Sequence, residues 1–273
     1  MGAGSDSDVY GILRGVRGEL RNWASSLALG YLVSPSRLLP SWNPLIRSRL
    51  AKHKLMLQLR NGLEIECQAN EFPPFLEIFV ERCYEIEDLD WSEVASIVDV
   101  GANVGMATLW YAVHAVNASI LSLEPSPGAF RELSANVARN EFSKRVTCIP
   151  AAMSATPGRA AFGSGFTSVF GRLSETGESQ VVVTSLAELL QQHGITALDV
   201  LKLDCEGAEY DILLTTDEQV LRQIHFVVGE YHVAQGRSVQ ALRRALEKAD
   251  FAVSMTPDRK GVGFFRATRL DRS

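Results

Sequence analysis

The sequence predicts an α/β protein: a mainly parallel sheet with helices on both faces and one antiparallel strand at its C-terminal end. Three observations carry that expectation. From Val94 onward, apolar runs of strand length alternate with longer helical runs, as repeated βαβ units require. The run Ser96–Val100 enters a Gly101-Ala-Asn-Val-Gly105 turn and passes straight into a helical stretch. The last two apolar runs are separated only by residues 256–261, and so short a link permits only an antiparallel pair.

Strands are expected near 96–100, 119–123, 145–149, 198–203, 225–230, 251–255 and 262–267. Helices are expected near 104–115, 127–139, 185–193, 207–213, 217–223 and 238–249. Ahead of these, residues 54–60 and 63–67 alternate apolar and polar across Asn61-Gly62, a strong hairpin signal. Residues 71–84 begin loop-like at Pro73-Pro74 and become an amphipathic helix. Residues 8–32 carry helical spacing (Tyr10, Leu13, Val16, Leu20, Trp23) with arginines opposite, and the Pro/Ser-rich segment 34–41 breaks it. Such a helix suits packing on the domain, covering a substrate, or pairing in a homodimer. Residues 152–184 are rich in Gly, Ser and Thr with little periodicity, which reads as a long polar loop on the ligand side. Phe162, Phe166, Phe170 and Tyr231 are candidates for lining an acceptor pocket there, or for simple packing.

Composition narrows the function. With 46% hydrophobic and 22% charged residues the chain is ordinary for a soluble globular protein. A net charge of −5 argues against a nucleic-acid partner, which would need a basic face. Cys67, Cys83, Cys148 and Cys205 show no CxxC spacing, so reduced thiols are expected and a zinc site is not. The first eight residues are small and acidic, unlike a secretory signal. The apolar run 23–33 is too short to span a bilayer. A cytoplasmic protein without stable membrane insertion is expected.

Ligands of open α/β sheets bind beyond the carboxyl ends of the strands. A dinucleotide fingerprint uses Gly-x-Gly-x-x-Gly because a pyrophosphate lies against the helix start. Here Asn103 stands between Gly101 and Gly105, and Glu124 ends the next strand. That pattern better suits a nucleoside without phosphates, such as S-adenosylmethionine, with Glu124 on the ribose hydroxyls. Asp99 lies inside an apolar strand and needs partners. Orienting the glycine-loop amides or a ligand amine would supply them. Lys202 and Asp204 share one strand face, and Glu206 and Glu209 fall at the start of the following helix, where capping alone accounts for carboxylates. Capping does not account for Asp204, which ends a central strand. Glu230 and His232 end the fifth strand.

With these residues assembled, the chain resembles the FkbM family of S-adenosylmethionine-dependent methyltransferases. The resemblance runs from about Leu55 to Arg266 and leaves residues 1–50 outside it. It rests on Val98-Asp-Val-Gly-Ala-Asn-Val-Gly105, Glu124-Pro-Ser-Pro, Asn136 with Asn140, the lead-in segment 75–84 and, above all, Asp199-Val-Leu-Lys-Leu-Asp-Cys-Glu-Gly-Ala-Glu209. It implies a class I methyltransferase (Rossmann-like) sheet of seven strands in residues 91–273, with residues 1–90 as a helical and β-hairpin extension. It also implies O-methylation of a hydroxyl on a sugar, glycolipid or secondary metabolite such as a macrolide. Carried over by position, Asp99, Gly101, Asn103, Gly105, Glu124 and Ala152 would bind the cofactor, Ala152 near the adenine, while Asp204 would face the methyl group and the acceptor. Asp204 or His232 would take the hydroxyl proton, with Lys202 and Glu230 orienting the partners. A variant places Mg²⁺ between Asp204 and Glu230 as a Lewis acid. Two other classes fit the glycine turn: a nucleoside-binding protein without catalysis, and a nicotinamide-dependent oxidoreductase. The absent third glycine and the terminal antiparallel pair speak against the second.

Overall fold

The computed structural model describes residues 17–22, 52–163, 172–174, 179–233, 236–258 and 261–270. Two compact units result, and each is built locally. The first takes residues 1–83 together with 135–141. Its hairpin pairs β1 (Lys54–Gln58) with β2 (Glu64–Gln68) in antiparallel register, Met56 opposite Glu66. The alternation read in the sequence is the burial pattern: Leu55, Leu57, Ile65 and Cys67 are all buried, and their neighbours face out. Phe72–Phe75 form one α-turn with proline at its start, where a missing N–H costs nothing. The turn runs on into a π-helical segment, Leu76–Val80, rather than a regular α-helix. Of the helix expected over residues 8–32, a helical turn at 17–19 is described, followed by an isolated bridge from Leu20 to Leu59. The rest of that expectation lies outside the described residues.

Asn136 and Asn140 join this unit. Asn136 accepts the amide of Glu66 through Oδ1 at 2.8 Å and donates to the Glu66 carbonyl through Nδ2 at 2.8 Å. Asn140 does the same for Glu64, at 2.9 and 2.8 Å. The match is geometric. Four helical residues rise about 6 Å, and two strand residues about 6.6–6.8 Å.

The second unit, Tyr84–Ser134 with Phe142–Ser273, carries the alternating elements. In chain order they are β3 (Ser96–Val100), α1 (Met106–His114), β4 (Ser119–Leu123), α2 (Pro127–Arg139), β5 (Val146–Ile149), β6 (Ala151–Met153), β7 (Gly158–Gly163), β8 (Arg172–Ser174), β9 (Ser179–Thr184), α3 (Leu186–Gln192), β10 (Leu198–Leu203), α4 (Ala208–Thr215), α5 (Glu218–Leu221), β11 (Ile224–His232), α6 (Val239–Lys248), β12 (Phe251–Met255) and β13 (Val262–Arg269). The last turn of α2 is the part counted with the first unit.

Seven strands form one sheet in the order β5-β4-β3-β10-β11-β13-β12. The neighbours from β5 to β11 are parallel, and β13 runs antiparallel to both β11 and β12. Residues 97–100 of β3 and 120–123 of β4 are buried on both faces, which is why these strands read as continuous apolar runs. Helix α6 shows the other period. Leu242 and Leu246, one turn apart, are buried, and Ser238 accepts the Ala241 amide at its start.

The segment 152–184 departs from expectation. Its described residues form a second sheet of order β6-β9-β7-β8, where a long polar loop was expected. Three adjacent valines hide the alternation of β9: Val181 and Val183 are buried, while Val182 is exposed. Among the described residues, no helix is long and apolar enough to cross a membrane. None of the cysteines is exposed; Cys67 is buried and the other three are half-buried.

Candidate active site

The strand order reverses beside β3. From β3 the chain moves outward to β4 and β5, then returns to β10 on the other side, and open α/β sheets bind their ligands in a crevice above the strand ends at such a point. The glycine turn lies at that point. Gly101 has φ +74°, and a Cβ there would lie 1.8 Å from the carbonyl oxygen of Asp204. Only glycine lets the turn lie against the end of β10. The amides of Gly101 and Ala102 both donate to the Leu123 carbonyl at 3.0 Å, fastening the turn to β4 as well. Asn103 takes φ +49° and Gly105 φ +93° before α1 begins.

Glu124 is 6% exposed. Its Oε2 accepts the Asn103 amide at 2.8 Å, and its Oε1 accepts the Ser126 amide at 2.7 Å. Burial nevertheless pushes its pKa up to about 7, against the lowering pull of those two amides and of Lys202. A carboxylate with one donor on each oxygen keeps lone pairs for further donors. Asn103 Oδ1 is enclosed and accepts no hydrogen bond among the described residues. Both groups therefore suit a ligand rich in hydroxyl or ammonium donors.

Asp99 is fully buried, and it does not reach the glycine-loop amides as expected. Its Oδ2 accepts the Thr108 hydroxyl at 2.6 Å, and its Oδ1 lies 2.9 Å from Lys202 Nζ. Glu124 takes the loop amide in its place. Lys202 is 2% exposed and also donates to the Gly101 carbonyl at 2.9 Å. Burial works against its ammonium, but Asp99 and then Asp204 outweigh that and raise its pKa. The pair holds the glycine turn from beneath, with the Lys202 ammonium 5.3 Å from the centre of the Tyr84 ring.

At the opposite lip, Asp204, Glu206, Glu230 and His232 come together. The Tyr84 hydroxyl lies 2.9 Å from Asp204 Oδ2 and 3.0 Å from Glu230 Oε1. One hydroxyl proton serves one of these oxygens at a time. His232 Nδ1 lies 3.0 Å from Glu209 Oε1, and its Nε2 lies 3.5 Å from Glu206 Oε2 and 3.9 Å from Glu230 Oε2. Carboxylates thus face both ring nitrogens. Burial opposes a charge on the ring, but the hydrogen bond and charge of Glu209, then Asp204 and Glu206, raise its pKa to about 9. The Cys205 thiol is driven well above its usual range, mainly by burial.

Asp204, Glu230 and His232 each offer one ligand atom within 4.8 Å of the others. Two carboxylates with an imidazole could hold a divalent cation, and the imidazole suits Mn²⁺, Fe²⁺ or Zn²⁺ better than Mg²⁺.

The match to known families decides the class. Residues 99–253, just over half the chain, match the model of the methyltransferase FkbM domain. The chain belongs to the FkbM methyltransferase family. Its seven-stranded sheet carries the expected reversed strand, β13. A curated relative, 31-O-demethyl-FK506 methyltransferase FkbM of Streptomyces tacrolimicus, is 26% identical over 66% of this chain and 82% of its own length. Methyltransferase 1 of Beauveria bassiana is 28% identical over 66% of this chain and 80% of its own. Among solved structures, methyltransferase FkbM from Methylobacillus flagellatus aligns at 16% identity and a TM-score of 0.46, covering 72% of this chain and 54% of that one.

In this methyltransferase the sequence-derived residues divide between two places. Asp99, Gly101, Asn103, Gly105, Glu124 and Lys202 build the glycine-turn side, and Asp204, Glu230 and His232 build the acidic lip. Ala152 is buried in β6, in a small cluster with Val181 and Val183. Tyr231 is 4% exposed and donates its hydroxyl to the Thr256 carbonyl at 2.6 Å, so it packs rather than lining a pocket. Phe166, Phe170 and the side chain of Phe162 lie outside the described residues. Sequence reasoning missed Tyr84, whose only signal was its place at the end of an amphipathic stretch. It missed Thr108 too, which a hydroxyl nine residues after a buried aspartate could have flagged.

Proposed function

We propose that this methyltransferase binds S-adenosylmethionine in the crevice above β3 and β4, and methylates a hydroxyl of a secondary metabolite or sugar-bearing small molecule. One observation carries the reading: Glu124 is seated against the Asn103 amide on one side of the glycine turn, and Asp204 stands on the adjoining strand end on the other. The relative from Streptomyces tacrolimicus, a 31-O-demethyl-FK506 methyltransferase, agrees in kind. When bound, the cofactor supplies an electrophilic methyl group on a sulfonium.

The chain's own residues then have three tasks. Glu124 and Asn103 hold the nucleoside sugar and fix its depth. Positioning of acceptor and methyl in line is the larger contribution, worth up to about 7–11 kcal/mol in favourable cases. Asp204 takes the hydroxyl proton, which adds roughly 10²–10⁴-fold. Asp204 is preferred over His232 on geometry. Its side chain is 30% exposed, whereas the ring of His232 is 15% exposed and faces carboxylates through both nitrogens.

The test is a panel of hydroxyl acceptors incubated with methyl-labelled S-adenosylmethionine. Labelled product is expected, with transfer lowered about 10²–10⁴-fold in Asp204→Asn. Product at the wild-type rate from that variant would remove Asp204 from the role. A chelator that abolishes transfer, restored by Mn²⁺, would move the reading to metal-assisted chemistry at the same lip. Binding of NAD without binding of S-adenosylmethionine would end the methyl-transfer reading.

A further inference from the structure

We infer that Glu209 is a positioning residue that acts through His232, fixing the imidazole so that Nε2 faces the acceptor side of the acidic lip. The inference rests on the methyl-transfer reading of that lip.

Glu209 lies in the first turn of α4, and none of its surface is exposed. An uncompensated carboxylate there would be costly, so its partners define its purpose. Oε2 accepts the Gly207 amide at 2.8 Å. Oε1 accepts two hydrogens from a single residue: the backbone amide of His232 at 2.8 Å and its Nδ1–H at 3.0 Å. Helix capping accounts for the first bond alone. The other two reach across 23 positions in the chain to the end of β11. Holding one residue by both backbone and ring favours the ring orientation in which Nδ1 faces Glu209.

The orientation has a consequence. With Nδ1 committed inward, Nε2 points toward Glu206 at 3.5 Å and Glu230 at 3.9 Å, on the side where Asp204 and the Tyr84 hydroxyl lie. A flipped ring would present carbon there instead. Its remaining contact, the Cys205 thiol 3.7 Å from Oε2, lies within its own segment, so the bonds by which Glu209 reaches another strand both go to His232. The block from Asp204 to Glu209 then has a division of labour. Asp204 meets the acceptor, Glu206 and Glu209 bracket His232, and Gly207 with φ +103° turns the chain between them.

The experiment has two arms. In the first, NMR follows the His232 Nδ1 proton in the wild-type protein and in Glu209→Ala, which removes the acceptor, with S-adenosylhomocysteine present. A resonance protected from water in the wild type and lost in the variant is expected. Rapid exchange in the wild type would overturn the inference, even if the variant fails to fold. So would unchanged protection in the variant.

The second arm uses whichever acceptor the labelled-methyl panel yields. Glu209→Gln should lower kcat by about 10–100-fold with little change in KM for S-adenosylmethionine. In a His232→Asn background the same substitution should cost nothing further. Equal loss in both backgrounds would mean that Glu209 acts independently of His232, and the inference would fail. A panel that yields no product under any condition defeats the methyl-transfer reading instead, and the NMR arm alone then decides the role of Glu209.

Discussion

Replacing Glu124, or titrating it, tests the cofactor side of the crevice most directly. Burial raises its pKa from 4.5 to about 7, so ionising it in the empty protein costs about 3 kcal/mol more than in the unfolded chain. The direction matters. Below pH 4.5 the group is protonated in both states and no penalty exists. The penalty grows as pH rises from 4.5 and is complete above 7. A ribose whose hydroxyls donate to Glu124 prefers the ionised form and lowers that pKa on binding. Affinity should therefore rise with pH by up to about tenfold per unit below pH 7, and level off above it. Calorimetry with S-adenosylhomocysteine between pH 5 and 8.5 reads this directly. Above pH 7, Glu124→Ala should weaken binding by about 1.5–3 kcal/mol, the worth of a hydrogen bond to a charged acceptor. That is on the order of 10–100-fold. Glu124→Gln should flatten the profile, because its amide does not titrate. A level wild-type profile, or unchanged affinity in Glu124→Ala, would refute the reasoning.

Three further outcomes follow from the same geometry. Gly101→Ala forces a Cβ to 1.8 Å from the Asp204 carbonyl at φ +74°, which should cost about 2–5 kcal/mol in urea unfolding. Gly128→Ala, whose Cβ would meet nothing closer than 3.9 Å, should be neutral. Lys202→Met leaves Asp99 charged and enclosed, and should cost about 3–5 kcal/mol. Combining it with Asp99→Leu should recover part of that loss, and additive losses would argue against the pair. His232 has its pKa raised from 6.5 to about 9, so the stability it contributes is complete below pH 6.5 and is lost as pH rises through 9. The unfolding free energy should fall across that window by up to about 3 kcal/mol, and much less in His232→Asn.

The main sheet was legible in the sequence because its strands are buried on both faces and read as unbroken apolar runs, as Ser96–Val100 does. The short link at residues 256–261 fixed the antiparallel pair for a purely geometric reason. The second sheet was not legible. Its strands run to only three to six residues, and the exposed Val182 masks the period of two. At the site, charge placement on strand ends exposed Asp204, Glu230 and His232, because a parallel sheet gathers those ends at one rim. Asp99 was legible only as a buried carboxylate in need of partners, since a strand pattern cannot say that those partners include Thr108 and Lys202. Tyr84 and Glu209 were obscure because their partners lie 120 and 23 positions away, beyond any local spacing.

The two asparagine side chains at 136 and 140 treat Glu64 and Glu66 as a neighbouring strand would, answering each main-chain donor and acceptor in turn. A margin sealed by side chains offers no template to another polypeptide, yet it needs no further strand to be made. Trading both residues for alanine would bare four hydrogen-bonding groups in a row. The expected phenotype is self-association of the hairpin, visible as concentration-dependent growth in light scattering, ahead of any loss of methyl transfer.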